Sequence, residues 1–320
     1  MNRLTTYAII LVGMVTCSAC FAAGSAASSP AASQAGNELL GAWKISGDKL
    51  TFLVFEPARC MVYEYGQLSV MKVARYEKGK VIAVSLGNPV TIQAQVKDGR
   101  LYTALEGKFE IFDRLAETPK EVDIGPMKLP AAGVVPADKM ASIRKELDAR
   151  FVKDQSVRKM PEGKAQEAAR IVADNTAYLK SLVQEFGWID TARFGAAAAQ
   201  AAVVLMQHSG DLPLMRAAMP EVEKDIKARL AAKATATAAA TALDAQSFAM
   251  LYDRVQLMLG ANQRYGTQVG KNDKGQAVVM PLEDKARCDE FRKELGLMPL
   301  AEYLEIVKKQ TGAKEVVMPQ

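Results

Sequence analysis

The chain has 320 residues, with 41 Lys plus Arg against 36 Asp plus Glu, 49% apolar letters, four Cys and one His. This length and apolar content supply cores for one to three domains and exclude a chain that is disordered in bulk. A net charge of +5 without long runs of one sign excludes the electrostatic footprint of a nucleic-acid binder.

The chain opens with Arg3, an apolar run from Tyr7 to Val15, and the small residues Cys17, Ser18, Ala19 and Cys20. A basic start, a short apolar core and a small-residue exit read as a secretory signal peptide over 1–20, too short for a membrane span of about 20 helical residues. Cys17-Ser18-Ala19-Cys20 resembles the lipobox of bacterial lipoproteins, with Cys17 where Leu or Val is usual, and the resemblance implies a lipid anchor on Cys20. The alternative is cleavage after Ala22 or a few residues later, which leaves a soluble periplasmic protein. Residues 21–37, nearly all Ala, Ser, Gly and Pro, cannot bury a core and read as a flexible tether. No later stretch approaches 18 unbroken apolar residues, so no further span is expected. The expected location is the bacterial cell envelope, as a membrane-anchored lipoprotein or in the periplasm.

Residues 38–116 carry the period of strands: Leu50, Phe52 and Val54 form one alternating set, Val90, Ile92, Ala94 and Val96 a second, and Leu101, Thr103 and Leu105 a third. Turn sequences separate them, among them Glu77-Lys78-Gly79-Lys80 and Lys97-Asp98-Gly99-Arg100. An antiparallel meander of about seven or eight strands with such short connections favours a small closed barrel, which hides its edges. Gly41-Ala42-Trp43 resembles the Gly-x-Trp start of lipocalin-like barrels, and Trp43 is expected to plug the barrel end rather than meet a ligand. Residues 117–136, rich in Pro and Gly, read as a domain linker.

Residues 137–320 change to a helical period, so the fold class is α+β: a small antiparallel barrel followed by an all-α bundle domain carrying a β-hairpin. Ile143, Leu147 and Phe151 mark one stripe, Ile171 to Phe186 a second, and Phe248 to Leu259 a third. Phe194 to His208 is small-sided and apolar all round, which places it in the middle of the bundle. Arg229 to Ala242 reads as a frayed helix or loop, Gln263 to Pro281 as the hairpin, and Asp284–Leu295 and Pro299–Gln310 as short closing helices. Cys60 and Cys288 fall in different domains and are expected as buried free thiols.

Polar side chains interrupt this bundle at Gln207, His208, Asp253, Arg254, Gln263, Tyr265, Thr267 and Gln268. His208 stands at a helix C-terminus, where the macrodipole and the nearby Asp211 favour an imidazolium suited to anion binding or general-acid work. Arg254, with Arg264 or Arg292, would clamp a carboxylate or phosphate. One His without paired Cys spacing argues against zinc, no cofactor fingerprint is present, and no nucleic-acid partner is expected.

Gly187-Trp188, Gln207-His208, Asp253-Arg254, Gln263-x-Tyr265-Gly266-Thr267-Gln268 and Arg292-x3-Gly296-Leu297-x-Pro299-Leu300-x2-Tyr303 together resemble the ordered motifs of the bacterial family called domain of unknown function 6624. The likeness covers about Ser142 to Val307 and includes Asn175. Ile189 stands where that family carries Pro and Gly210 where it carries Asp, which makes Asp211 the expected support for His208. The family brings no activity. The leading expectation is a cell-envelope binding protein whose polar cleft takes an anionic small molecule, a cell-wall fragment or a partner protein. The alternatives are a periplasmic hydrolase with His208 as general acid/base and Arg254 as anion clamp, or a purely structural polar network.

Overall fold

The computed structural model describes residues 37–47, 51–64, 67–85, 88–105, 108–157, 164–231, 238–271 and 276–318. The signal peptide, Cys20 and all but the last residue of the tether lie outside the described residues. Eight strands follow in chain order: β1 (Gly41–Ile45), β2 (Phe52–Phe55), β3 (Arg59–Glu64), β4 (Gln67–Glu77), β5 (Lys80–Ser85), β6 (Asn88–Lys97), β7 (Arg100–Leu105) and β8 (Lys108–Arg114). Each pairs antiparallel with the next, and β1 pairs with β8 in the register Trp43 to Arg114, so the expected meander closes into a barrel. The Asp98-Gly99 turn between β6 and β7 is two residues long with φ of 51° and 75°, the left-handed pair that matches strand twist in a tight hairpin.

The period of two sends Leu53, Phe55, Val81, Ala83, Ile92, Ala94, Leu101 and Phe112 into one closed core around Trp43. Trp43 is fully buried; its Nε1 donates to Leu39 O at 2.9 Å and the Arg114 guanidinium lies 4.1 Å above its ring. Arg114 in turn donates to Leu40 O and Glu38 O, which folds the incoming chain over the indole. Every residue of β2 is buried, its outward pair included, and a single 3-10 turn at Lys120–Val122 rests on β3 through the buried Val122.

The second region holds α1 (Ala137–Val157), α2 (Ala165–Phe186), α3 (Thr191–Phe194), α4 (Ala196–Ser209), α5 (Leu212–Ala231) and α6 (Ala238–Met258). Strands β9 (Val269–Lys271) and β10 (Ala277–Val279), helices α7 (Cys288–Glu294) and α8 (Leu300–Thr311), and β11 (Val316–Val317) complete it. By contacts the described chain divides into two units, one with the barrel through Ile124 plus Gln256–Asn262, the other with Gly125–Val255 and everything from Gln263 onward. In the second unit α4 packs against α1, α2 and α5, and nine of its residues are buried, Ala198 to Gln207 nearly without break. Its small side chains permit that central place.

Four details differ from the expectation. The stretch from Phe194 to His208 is split at Gly195, whose φ of 81° ends α3 before α4 begins. Helix α5 fills a region where no helix is expected, because Pro213 and Pro220 hide it: Pro213 sits in the first turn, where the missing N–H costs nothing, and Pro220 lies inside the helix. Residues 238–242 belong to α6, and 232–237 are outside the described residues. The hairpin β9–β10 gains a third strand, since β11 pairs parallel to β10.

Cys60 and Cys288 are free and buried, as expected. Burial pushes both thiols up, Cys288 to about 11. Neither residue is therefore expected to react with iodoacetamide at pH 8 until the chain is unfolded in guanidinium. Peptide mass mapping checks this, and alkylation of either position in the native chain contradicts it.

Candidate functional site

His208 occupies the last turn of α4, which ends at Gly210 with a φ of 66°. Its Nδ1 lies 2.6 Å from Oδ2 of Asp154 on α1, with the Asp154 side chain 1% and the His208 side chain 11% exposed. Gln155 Nε2 donates to the same Asp154 oxygen at 3.2 Å. The expected support from Asp211 is not what forms: Asp211 caps α5 by accepting from Leu214 N at 2.9 Å, and it takes Lys180 Nζ at 2.7 Å. A carboxylate at a helix start is drawn to the free N–H groups there, so Asp211 turns forward instead of back. Asp154 was missed in the sequence although it carries a signal, since it falls seven residues after Leu147 on the buried stripe of α1. An acid on an apolar stripe needs a partner.

Gln207 points to the other side of α4 and donates to the Ser247 carbonyl of α6, and Gln200 Nε2 reaches Ser247 Oγ at 2.8 Å. Gln200 and Ser247 also wall a small cleft with Trp188, Val203, Val222 and Asp225. His208 is not part of its wall. Arg254 is half-buried on α6.

The remaining predicted residues gather around Asp253, which is fully buried. Its Oδ1 accepts from the backbone N–H of Arg264 at 2.8 Å and of Tyr265 at 3.0 Å. Its Oδ2 accepts from Thr267 N at 2.9 Å and Thr267 Oγ1 at 2.8 Å. Burial pushes the Asp253 carboxyl up against these donors, which pull the other way. Gln263 closes the loop from inside: Nε2 donates to Gln268 O at 3.0 Å and Met280 O at 2.8 Å, while Oε1 accepts from Gln268 N at 2.8 Å. Gln268 Nε2 reaches Met250 O at 3.3 Å. Arg292, also fully buried, donates to Tyr265 O at 2.6 Å and to Met298 O at 2.7 Å, and Tyr303 donates to Thr267 O at 3.1 Å. Asp253 and Arg292 thus hold the Tyr265 residue by its N–H and its carbonyl. The Tyr265 ring meets Phe248 and Tyr252 edge-on at 6.3 and 5.5 Å, and burial pushes its hydroxyl up to about 12. At Gly266 φ is 67°, the left-handed region that favours glycine, and a Cβ there would also crowd Leu300 Cδ1 at 2.7 Å.

Among the described residues no group of three or more His, Cys, Asp or Glu side chains is placed to hold a metal. A family model described as a family of unknown function, DUF6624, matches residues 143–316, more than half of the chain. The chain belongs to that family. The DUF6624 region begins within α1 and ends in β11, so Asp154, His208 and the Asp253 loop all lie inside it and the barrel lies outside. No curated protein and no solved structure matches the chain.

The Gly187-Trp188 motif of the DUF6624 region has its own support. Gly187 has φ of 75°, and a Cβ there would stand 3.1 Å from Pro130 O. Trp188 is buried, and Arg193 ties the turn together by donating to the carbonyls of Gly133, Phe186 and Trp188. Asp190 caps α3 through Arg193 N at 2.9 Å and pairs with Arg193 Nε at 2.5 Å. Burial pushes the Asp190 carboxyl up, but these bonds outweigh it and hold it below its ordinary 3.8. A depressed carboxyl stabilises the fold fully above the unfolded value and loses that contribution as pH falls through the folded one. Asp190→Asn is expected to cost about 1 kcal/mol at pH 7, and urea titrations at pH 7 and pH 3 should show the gap to the native chain closing at the lower pH.

Proposed function

We propose that the chain is a cell-envelope recognition protein whose helical unit engages an anionic small molecule, a cell-wall fragment or a partner protein through a polar centre built on His208. The observation that carries this reading is the 2.6 Å contact between His208 and the enclosed Asp154. A buried carboxylate must be compensated, and a compensating group here, beside Gln155, is the one imidazole of the chain, whose edge reaches solvent. Nδ1 faces Asp154, so in this reading a ligand meets the ring at its solvent-reaching edge. This reading takes Arg254, half-buried on α6, as the cation for an anionic group of the ligand. A lipid on Cys20, or release into the periplasm, gives the envelope location in this reading.

The hydrolytic alternative draws on the same contact. A carboxylate behind an imidazole fixes its tautomer and orientation, which general acid/base work requires, with Arg254 then clamping an anion. The two readings separate by thermal unfolding of the full chain with millimolar muramyl dipeptide, citrate or inorganic phosphate. A probe at a hundred times its Kd stabilises by about 2.7 kcal/mol, a rise in Tm of several degrees at about 2–4 °C per kcal/mol. His208→Gln is expected to remove the rise. Retained binding with lost turnover in that variant would assign hydrolysis. Loss of stability alone, with no probe bound by the native chain, would assign the pair to structure.

A further inference from the structure

The cleft walled by Gln200 and Ser247 encloses about 290 Å³, part of it open to solvent, and lies wholly within the helical unit. Helices α4, α5 and α6 and the turn before α3 line it. Most of the wall is apolar, with the buried Trp188, Val203 and Val222. Three polar side chains complete it: Asp225 of α5 and Gln200 of α4, both half-buried, and the buried Ser247 of α6. Among the described residues the wall holds one carboxylate and no Lys, Arg or His.

The capacity these polar groups leave unused is that of acceptors. Asp225 spends Oδ2 on Thr191, accepting from its N at 3.0 Å and from its Oγ1 at 2.7 Å. Both donors are neutral, and no described side chain of opposite charge pairs with this carboxylate, whose Oδ1 accepts from no described group. Gln200 Nε2 donates to Ser247 Oγ at 2.8 Å, which orients the amide and leaves Oε1 as an acceptor. A carboxylate oxygen and an amide oxygen beside an aromatic and aliphatic wall suit a group with a positive charge, several N–H donors and a short apolar stem. The same carboxylate repels an anion.

We infer that this cleft binds a primary alkylammonium group, with its charge on Asp225, an N–H on Gln200 Oε1 and its alkyl stem against Trp188. The site is separate from the centre at His208, which does not line the cleft, and it stands or falls without it. The test follows the two indole 15N signals of the full chain. Trp43, whose Nε1 donates to Leu39 O in the barrel, is the internal reference, and Trp43→Phe assigns the pair by removing one signal. n-Propylammonium chloride is titrated through the millimolar range, where so small a ligand is expected to bind. The Trp188 signal is expected to move along a single-site curve while Trp43 stays in place, and n-propanol and propionate should move neither. Asp225→Asn, which keeps an oxygen for Thr191 and removes the charge, should weaken binding roughly tenfold or more. A Trp188 signal unmoved by the amine, equal shifts with n-propanol, or unaltered affinity in Asp225→Asn overturns the inference. Should Asp225→Asn not fold, Gln200→Leu takes its place, with a several-fold loss expected and unaltered affinity again overturning the inference. N-acetyl-lysine methylamide carries the same group on a peptide: tighter binding than n-propylammonium supports a Lys side chain of a partner as the source, weaker binding a free amine.

Discussion

Replacing Asp253 with Ala is expected to destabilise the helical unit by about 3–5 kcal/mol, the range for stranding a buried hydrogen-bonded network. The substitution removes one side chain but leaves three backbone N–H groups, those of Arg264, Tyr265 and Thr267, without their acceptor, and leaves the Thr267 hydroxyl only Ala249 O at 3.5 Å. Each buried orphan costs about 1–3 kcal/mol before relaxation. Arg292, across the Tyr265 residue, loses one of the carboxylates that act on it and keeps Asp289. Asp253→Asn keeps one acceptor oxygen and brings an NH2 group against donors, so it should fall between Ala and the native residue. Thermal unfolding and amide exchange check this. A drop in Tm of roughly 10 °C with protection lost at 264–268 is the expected result, and an Asp253→Ala chain within 1 kcal/mol of native stability would show the loop stands without its anchor.

Trp43→Ala should cost the barrel about 3–5 kcal/mol, the range for emptying a buried aromatic site. Three losses combine there. The indole is fully enclosed, its Nε1 bond to Leu39 O holds the entering chain, and the Arg114 guanidinium stacked on it ties β8 to that same chain. Trp43→Phe retains most of the apolar volume and should cost less than half as much. Urea denaturation gives the magnitudes, and amide exchange should show protection failing first at β1 and β8. Equal stability of the Ala and Phe variants would mean that the ring fills space and nothing more.

The barrel was legible because its physics is local. Alternation of period two and turns such as Asp98-Gly99 are written in neighbouring residues, and a closed sheet is the simplest way for eight short strands to lose their edges. The central place of α4 was legible from its run of Ala residues for the same reason. Helix α5 was not, since the two prolines that usually end helices are tolerated here. Nor was β11, two residues long and paired with a strand 39 positions away. The polar residues of the site were legible as anomalies, but their partners were not. Asp253 spends both oxygens on a loop 11 to 14 residues later, mostly on backbone N–H groups that leave no letter in the sequence. His208 finds its carboxylate 54 residues upstream, whereas the one nearby in sequence, Asp211, belongs to the next helix.

The chain has a single histidine, so the 15N spectrum of its imidazole needs no assignment and reads the centre directly. Recorded on the full chain with and without muramyl dipeptide, citrate and phosphate, the spectrum should show Nδ1 protonated throughout and Nε2 moving on addition of at least one probe. A ring with Nε2 protonated and Nδ1 bare, or an Nε2 signal indifferent to every probe at millimolar concentration, would contradict the account.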